Sequence, residues 1–364
     1  MEQQRDPSTP PETHVRVDLR PERDCSSSSG RTVVHPVSIT PPLFTTPGGL
    51  PLVNKQVIHF KKWFPWLIPA FVIANVVVFI VTMYINDCHK RCLGRFLGRF
   101  SFQNFEDNPL LGPSSVTLQK MGALDKRKVV DDHQGWRLIT SMWLHGGVFH
   151  LLVNMVGLLV IGIRLELEFG FVRIGMLYLI SGFGGAILSS LFLQISISVG
   201  ASGAVFGLLG AMLSELIINW TIYDNELAWF ITFVGIIIVN LALGVLPHVD
   251  NFDHIGGFIT GFLLGFVFLI RPQFKWITQR HAPAEYSSAH ARPKYKTYQC
   301  ILWVVSLILL VVGIVIGMVS LLRGFDANKY CYWCHYLTCV PTPSWKCGNL
   351  HIFCSVSALV FLYN

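Results

Sequence analysis

Ser198–Ala211 reads SVGASGAVFGLLGA, and how it is interpreted decides what kind of molecule this is. Ser202 stands there among small and apolar residues, with no acid or base beside it in sequence. It is either a helix-packing serine or a nucleophile whose partners come from other helices.

The surroundings of that stretch point to a bilayer. Of 364 residues, 52% are hydrophobic and only 13% charged, and the mean hydropathy of +0.51 lies far above that of a water-soluble domain. Several apolar runs reach the roughly 17–25 residues that a helix needs to cross a membrane. The expected fold is therefore all-α and polytopic. Spans are placed near 64–85, 147–163, 172–195, 202–220, 227–246 and 253–270, with a seventh at 300–322. The closing apolar piece, Leu350–Asn364, is too short to count as another. The net charge of +7 implies no nucleic-acid partner, because Lys and Arg in such proteins chiefly report topology.

Residues 1–55 are rich in Pro, Ser, Thr and Arg, too poor in large apolar residues to offset ordering, and read as a disordered tail. The first 24 mix acids with bases, unlike a secretory signal or an organellar transit peptide, so the first span is expected to act as the signal. The expected order is then a six-helix core over 56–271, a linker over 272–299, the seventh span and a Cys-rich tail over 323–364. A long loop, about 86–137, follows the first span; its LGRFLGRFSF piece suits the membrane interface.

Orientation follows from the bases. The linker carries Arg271, Lys275, Arg280, Arg292, Lys294 and Lys296 at or near its length against the acid Glu285, which places it in the cytosol. Lys55, Lys61 and Lys62 place the N-terminal tail there too, and the six intervening crossings, an even number, agree. The first loop is also basic, against the trend. The C-terminal tail is then lumenal. Its CYWCHYLTCVPTPSWKC holds Cys331, Cys334, Cys339 and Cys347, which in an oxidising lumen form disulfides of undetermined pairing. A zinc knuckle that includes His335 is the rival reading. Cys88 and Cys92 are lumenal in this topology and can pair with each other or with the tail.

Depth brings three polar side chains together. At about 1.5 Å per residue, Ser202 and His254 each lie about 25 Å from the cytosolic ends of their spans, and His150 about 21 Å. All three helices descend in the same direction, so the three side chains share one level near the outer surface. Asn154 follows His150 on the same helix face. Polar groups at such depth are costly unless paired or facing water, and mark functional sites by default. A hydroxyl, an imidazole and two further hydrogen-bonding side chains meet the needs of acyl transfer. Ser202 is then the nucleophile, His254 its base, and His150, Asn154 and the Ser202 N–H the oxyanion donors. Gly203 and Gly207 beside Ser202, and Gly257, Gly261 and Gly265 along the His254 helix, allow backbones to approach closely. Asp253 adjoins His254, but successive helix positions do not face each other, so it is not expected to serve as a triad acid. His145 precedes the core of its span and reads as a loop or interfacial group. No metal or cofactor is implied.

These residues resemble the rhomboid family of intramembrane serine proteases over about 136–267. GWRLITSMWLHGGVFHLLVNM is similar to the family's first-loop Trp-Arg and second-helix His-xxx-Asn. GIRLELEFG is similar to its Gly-xx-Leu-Glu-xxx-Gly turn and YLISGFGGAILS to its third helix. GASGAVFG carries its Gly-x-Ser-Gly and DHIGGFITGFLLG its sixth-helix His and glycines. The resemblance implies a Ser202–His254 dyad without an acid, with His150 and Asn154 at the oxyanion. It gives Arg137 and Glu166 structural roles, the first in ordering the loop and the second in tying the turn after the second helix. Many members carry Tyr four residues after the serine; Phe206 keeps the ring and loses the hydroxyl, and retained activity is expected. The seventh span and Cys-rich tail resemble the plant secretase-type branch, implying a secretory-pathway membrane such as the Golgi. The implied partners are the lipid bilayer and single-span membrane proteins, cut near the lumenal face. The alternative is a non-catalytic binder of membrane-protein clients on the same fold.

Overall fold

The computed structural model describes residues 64–89, 92–220, 226–243, 249–271, 295–337 and 352–354. The expected 1–55 tail, most of the 272–299 linker and much of the 323–364 tail, with Cys339 and Cys347, lie outside them.

The molecule is an all-α, polytopic bundle. Helix α1 spans Leu67–Asn86. The first loop holds three short helices, α2 (Ser115–Met121), α3 (Lys126–Val130) and α4 (Arg137–Thr140). Then come α5 (Val148–Phe169), α6 (Phe171–Phe192), α7 (Ser202–Ile218), α8 (Glu226–Leu243), α9 (Asn251–Phe268) and α10 (Thr297–Leu322). Helices α1, α5, α6, α9 and α10 are long and apolar enough to cross a bilayer; α7 and the Leu227–Ala242 stretch of α8 are apolar but shorter. Two three-residue strands, β1 (Ile197–Val199) and β2 (Ile352–Cys354), pair in parallel.

Helix α5 runs six residues past the apolar run expected to end at 163, through a π-turn at Leu158–Gly162 and on through Arg164, Glu166 and Glu168. Those charges continue the helix because each has a partner. Glu166 is taken up by the start of α1, and Glu168 pairs with Arg164 one turn before it and with Arg271 at 2.7 Å. An ion pair of this kind satisfies charges that would otherwise end an apolar segment.

The core forms where α6, α7 and α9 meet. Tyr178, Phe206, Leu208, Leu209 and Ile174 are among its fully buried side chains. Gly257 and Gly261 of α9 face Gly203 and Gly207 of α7 so closely that a Cβ on either α9 glycine would strike the opposing carbonyl oxygen. Gly265 faces Ala211 and the Ser214 hydroxyl in the same way, and Gly207 also faces Ser181 of α6. Without a side chain at these points the helices pack backbone to backbone, which is how small residues drive association where no water is present to do so.

The loops seat on this bundle through named bonds. The first loop joins the segment before Ser202 by a two-way backbone pair between Leu124 and Ser198. Helix α10 is attached near both ends. Tyr298 and Gln299 donate to the Ile218 carbonyl, and Lys126 Nζ donates to the Phe325 carbonyl at 2.6 Å. Disulfides join Cys88 to Cys92 and Cys331 to Cys334. The 95–100 stretch is a distorted 3-10 segment that exposes Phe96, Leu97 and Phe100.

Candidate active site

Ser202 is the first residue of α7, and the chain reaches it through Gly200, whose φ of +141° only glycine adopts readily. A Cβ at Gly200 would lie 2.8 Å from His150 Nε2 and 3.4 Å from Ser202 Oγ. The glycine therefore leaves open the space that those two side chains border. Its N–H is held by the Ser141 carbonyl at 3.0 Å, which ties the turn to the first loop.

His254 comes from α9. It is fully buried, and its ring stacks on Phe206 at 4.1 Å between centroids with an interplanar angle of 10°. Phe206 lies one turn after Ser202 on α7. The glycine contacts between α7 and α9 thus set hydroxyl and imidazole on facing helices, and the stacked ring fixes the imidazole plane. On the same junction Ser202 Oγ donates to Asp253 Oδ2 at 3.2 Å.

His150 and Asn154 lie on α5, both fully buried. Gly146 N–H donates to His150 Nδ1 at 3.3 Å. With Nδ1 accepting, the ring proton sits on Nε2. That Nε2 has no hydrogen-bond partner among the described residues and borders the Gly200 gap beside Ser202. Asn154 Nδ2 donates to the His150 carbonyl at 3.1 Å, and its Oδ1 has no partner among the described residues. An unpaired buried donor costs on the order of 1–3 kcal/mol, so a site that keeps one aims it at something. His145, in the turn before α5, packs its ring 5.1 Å from that of His150. Burial pushes its pKa down to about 3, so it is a neutral neighbour.

Arg137 is buried and donates to the carbonyls of Gln119 and Ala123, both at 2.8 Å, and to Gln134 Oε1 at 2.7 Å. It gathers the turns around α2 and α3 into one piece. Glu166 does something other than tie the turn after its own helix. Its carboxylate accepts the N–H groups of Trp66, Leu67 and Ile68 at 2.9–3.0 Å. The first turn of α1 has no side-chain cap of its own, and an acid from α5 fills that place.

A family model described as the rhomboid domain matches residues 132–271, the stretch that contains Arg137, His150, Asn154, Glu166, Ser202, Phe206 and His254. RHOMBOID-like protein 1 of Arabidopsis thaliana is 61% identical over 303 residues, 82% of this chain and 78% of that protein. The chain belongs to the rhomboid family. Two further Arabidopsis members mark its breadth. RHOMBOID-like protein 6, mitochondrial, is 55% identical over 293 residues, covering 79% of this chain and 95% of its own length. Inactive RHOMBOID-like protein 8 is 41% identical over 298 residues, covering 80% and 85%. Rhomboid membership supports an intramembrane protease-type function, in a family that also holds a relative named as inactive.

Asp250 goes unremarked in the sequence, and Asp253 is noted there only as an acid that does not face His254; the structure sets Asp250 at the helix cap and Asp253 against Ser202. Their spacing at the start of α9 marks a helix N-terminus. Only Asp250 acts as its cap, with Oδ1 accepting the Asp253 N–H at 3.1 Å. Nothing in the spacing says that the second acid crosses to another helix.

Proposed function

We propose that this protein is an intramembrane serine endopeptidase. The observation that carries the reading is one junction: Ser202 at the head of α7, His254 stacked on Phe206 from α9, and an unpartnered His150 Nε2 across the Gly200 gap.

In the proposed reaction Ser202 Oγ attacks the carbonyl carbon of a peptide bond in a transmembrane segment while neutral His254 takes the hydroxyl proton. The carbonyl oxygen gains the negative charge. It is received by the Ser202 N–H, by His150 Nε2–H and by Asn154 Nδ2, once that amide leaves the His150 carbonyl. One such donor is worth roughly 3–4 kcal/mol in the barrier. His254 then gives its proton to the departing amine, leaving an acyl group on Ser202. Water, activated by the same imidazole, releases the second fragment and restores the hydroxyl. The substrate is a single-span protein whose helix opens locally, since a carbonyl bonded within its helix is closed to attack.

The topology proposed is a cytosolic N-terminus and a lumenal C-terminus in a secretory-pathway membrane such as the Golgi. The basic residues flanking the first and sixth spans support it, and so do the Cys88–Cys92 and Cys331–Cys334 disulfides, which belong to an oxidising compartment. The proposed domain order is a 1–55 tail, a 56–271 core, a 272–299 linker, the seventh span and the tail.

Purified protein in liposomes is expected to cut a single-span substrate, and Ser202→Ala and His254→Ala are each expected to abolish cutting. Undiminished cutting by Ser202→Ala would end the reading. A second reading, a non-catalytic binder of membrane clients, is favoured by the 41% identity to a relative named inactive. It predicts substrate capture without cleavage by the wild-type protein.

A further inference from the structure

The chain that follows α10 grips the bundle at three places, all at the end where Ser202 lies. Helix α10 stops at Leu322, and Gly324, with a φ of +69°, turns the chain out of it. The Phe325 carbonyl then accepts from Lys126 of the first loop at 2.6 Å. The Asn328 amide donates to the Phe192 carbonyl at the end of α6. The Leu337 carbonyl accepts from Asn251, the first residue of α9, at 2.9 Å. Between the outer two grips the turn is braced from within. Asp326 accepts the Asn328 N–H at 3.1 Å, Phe325 stacks on Tyr330 at 5.0 Å, and a disulfide joins Cys331 to Cys334.

The two side chains at the outer grips are buried polar groups. Lys126 Nζ makes a second bond, to Gln194 Oε1 between α6 and β1, at 2.6 Å. Burial pulls the pKa of this ammonium down from its ordinary value, so a charge is kept here against its own hydration. Asn251 also donates to the Leu241 carbonyl of α8, at 3.2 Å. Each of the two lies a short step from one half of the proposed dyad. Leu124, two residues before Lys126, exchanges backbone hydrogen bonds with Ser198, four residues before Ser202. Asn251 precedes His254 by three residues, about one helical turn. One turn of chain therefore holds both the loop that seats Ser202 and the helix end that carries His254.

We propose that the turn over 323–337 is a clamp that aligns Ser202 with His254, and that Lys126 and Asn251, which bind it from the first loop and from α9, are positioning residues for the proposed reaction. The inference rests on the proteolytic reading of that centre. Lys126 and Asn251 act through the backbone, by fixing the segments from which the hydroxyl and the imidazole project. The glycines of α7 and α9 let the two helices approach. The clamp adds directional hydrogen bonds at the end of the bundle where the two reacting side chains meet.

A double-mutant cycle tests the clamp. Lys126→Met keeps most of the stem and removes the donor, and Asn251→Ala removes the amide. Full-length wild type, the two single variants and the double variant are reconstituted in liposomes with a single-span substrate. Each single variant is expected to lower kcat about tenfold with KM unchanged, less than the roughly 100-fold that a 1 Å misplacement can cost. Labelling of Ser202 by a fluorophosphonate should slow in parallel, while its final extent, which counts folded sites, stays at the wild-type level. The double variant is expected to be no slower than the slower single one, because either change opens the same clamp. Two independent defects would instead multiply, to about 100-fold. A multiplied loss, or wild-type kcat in both single variants, would overturn the inference and leave the protease reading intact. So would a lower extent of labelling at the wild-type rate, which means lost folded protein and not misalignment. If Asn251→Ala does not fold, Asn328→Ala takes its place in the cycle with the same expected and overturning outcomes. A wild-type protein that neither cuts nor takes the probe removes the protease reading itself, and the inference with it.

Discussion

Helices α9 and α10 invert the rule learned from water-soluble proteins. Helix α10 is the more apolar, with a mean hydropathy of 3.0, yet only 11% of its most apolar stretch is buried in the protein. Helix α9 has a mean hydropathy of 1.2 and 61% of its stretch buried. In water the more apolar helix would go inside. In a bilayer the lipid tails solvate Ile and Val as well as the protein does, so apolar surface carries no preference for the interior. What goes inside is what lipid cannot accept, polar side chains and the bare backbone at glycine. Helix α9 carries both, in Asp253, His254 and Thr260 and in Gly256, Gly257, Gly261 and Gly265. Small and polar residues therefore specify this fold, and the apolar ones specify mainly that it lies in a membrane.

Among substitutions outside the proposed dyad, the largest effect should come from a glycine at the α7–α9 contact. In Gly261→Val the new side chain meets the Gly207 carbonyl, and the helices can only separate. A displacement of about 1 Å at the site can cost 100-fold. The expectation is at least a 100-fold loss of cleavage with a lowered unfolding temperature. Gly313→Val on α10 is the matched control, since a Cβ there meets nothing within 4 Å, and activity should be unchanged. Equal tolerance at both positions would break the contrast between the two helices.

A smaller effect is expected where polar groups, rather than close backbones, do the joining. Glu166→Ala strips three N–H groups at the start of α1 of their acceptor, in a side chain that is fully buried. The cost should be roughly 3 kcal/mol of stability, taking about 1 kcal/mol for each bond lost. Denaturation in detergent measures it, and the loss of activity at low temperature should be smaller than in Gly261→Val.

Much of this was legible in the sequence, for reasons that also explain what was not. The spans are visible because a bilayer imposes their length, and the grouping of Ser202, His254 and His150 because helix rise fixes depth. Depth says nothing about azimuth across helices, however. Asp253 could be placed on α9 but not against Ser202, because its partner depends on how α9 is rotated against α7 and on the absence of side chains at Gly185 and Gly203. Glu166 could be recognised as structural, but its partners lie 98–100 residues away in a helix whose lack of a cap is visible only in three dimensions. The end of α5 lies beyond its apolar run because charges stop such a run in sequence, whereas paired charges do not stop a helix.

The smallest expected effect sharpens the contrast most. Ile316 sits on α10 with 60% of its surface exposed. An isoleucine cut back to alanine in a water-soluble core costs about 2–5 kcal/mol, through lost transfer energy and the cavity left behind. On a lipid-facing surface neither term arises, because lipid fills the space and solvates either side chain. Ile316→Ala is therefore expected to change stability by less than about 0.5 kcal/mol, the range typical of surface substitutions, and to leave cleavage unchanged. Unfolding in detergent and turnover in liposomes measure the two. A loss in the core range would mean that another protein surface, such as a second copy of this chain, covers that face of α10. The inversion between α9 and α10 would then hold only for the isolated chain.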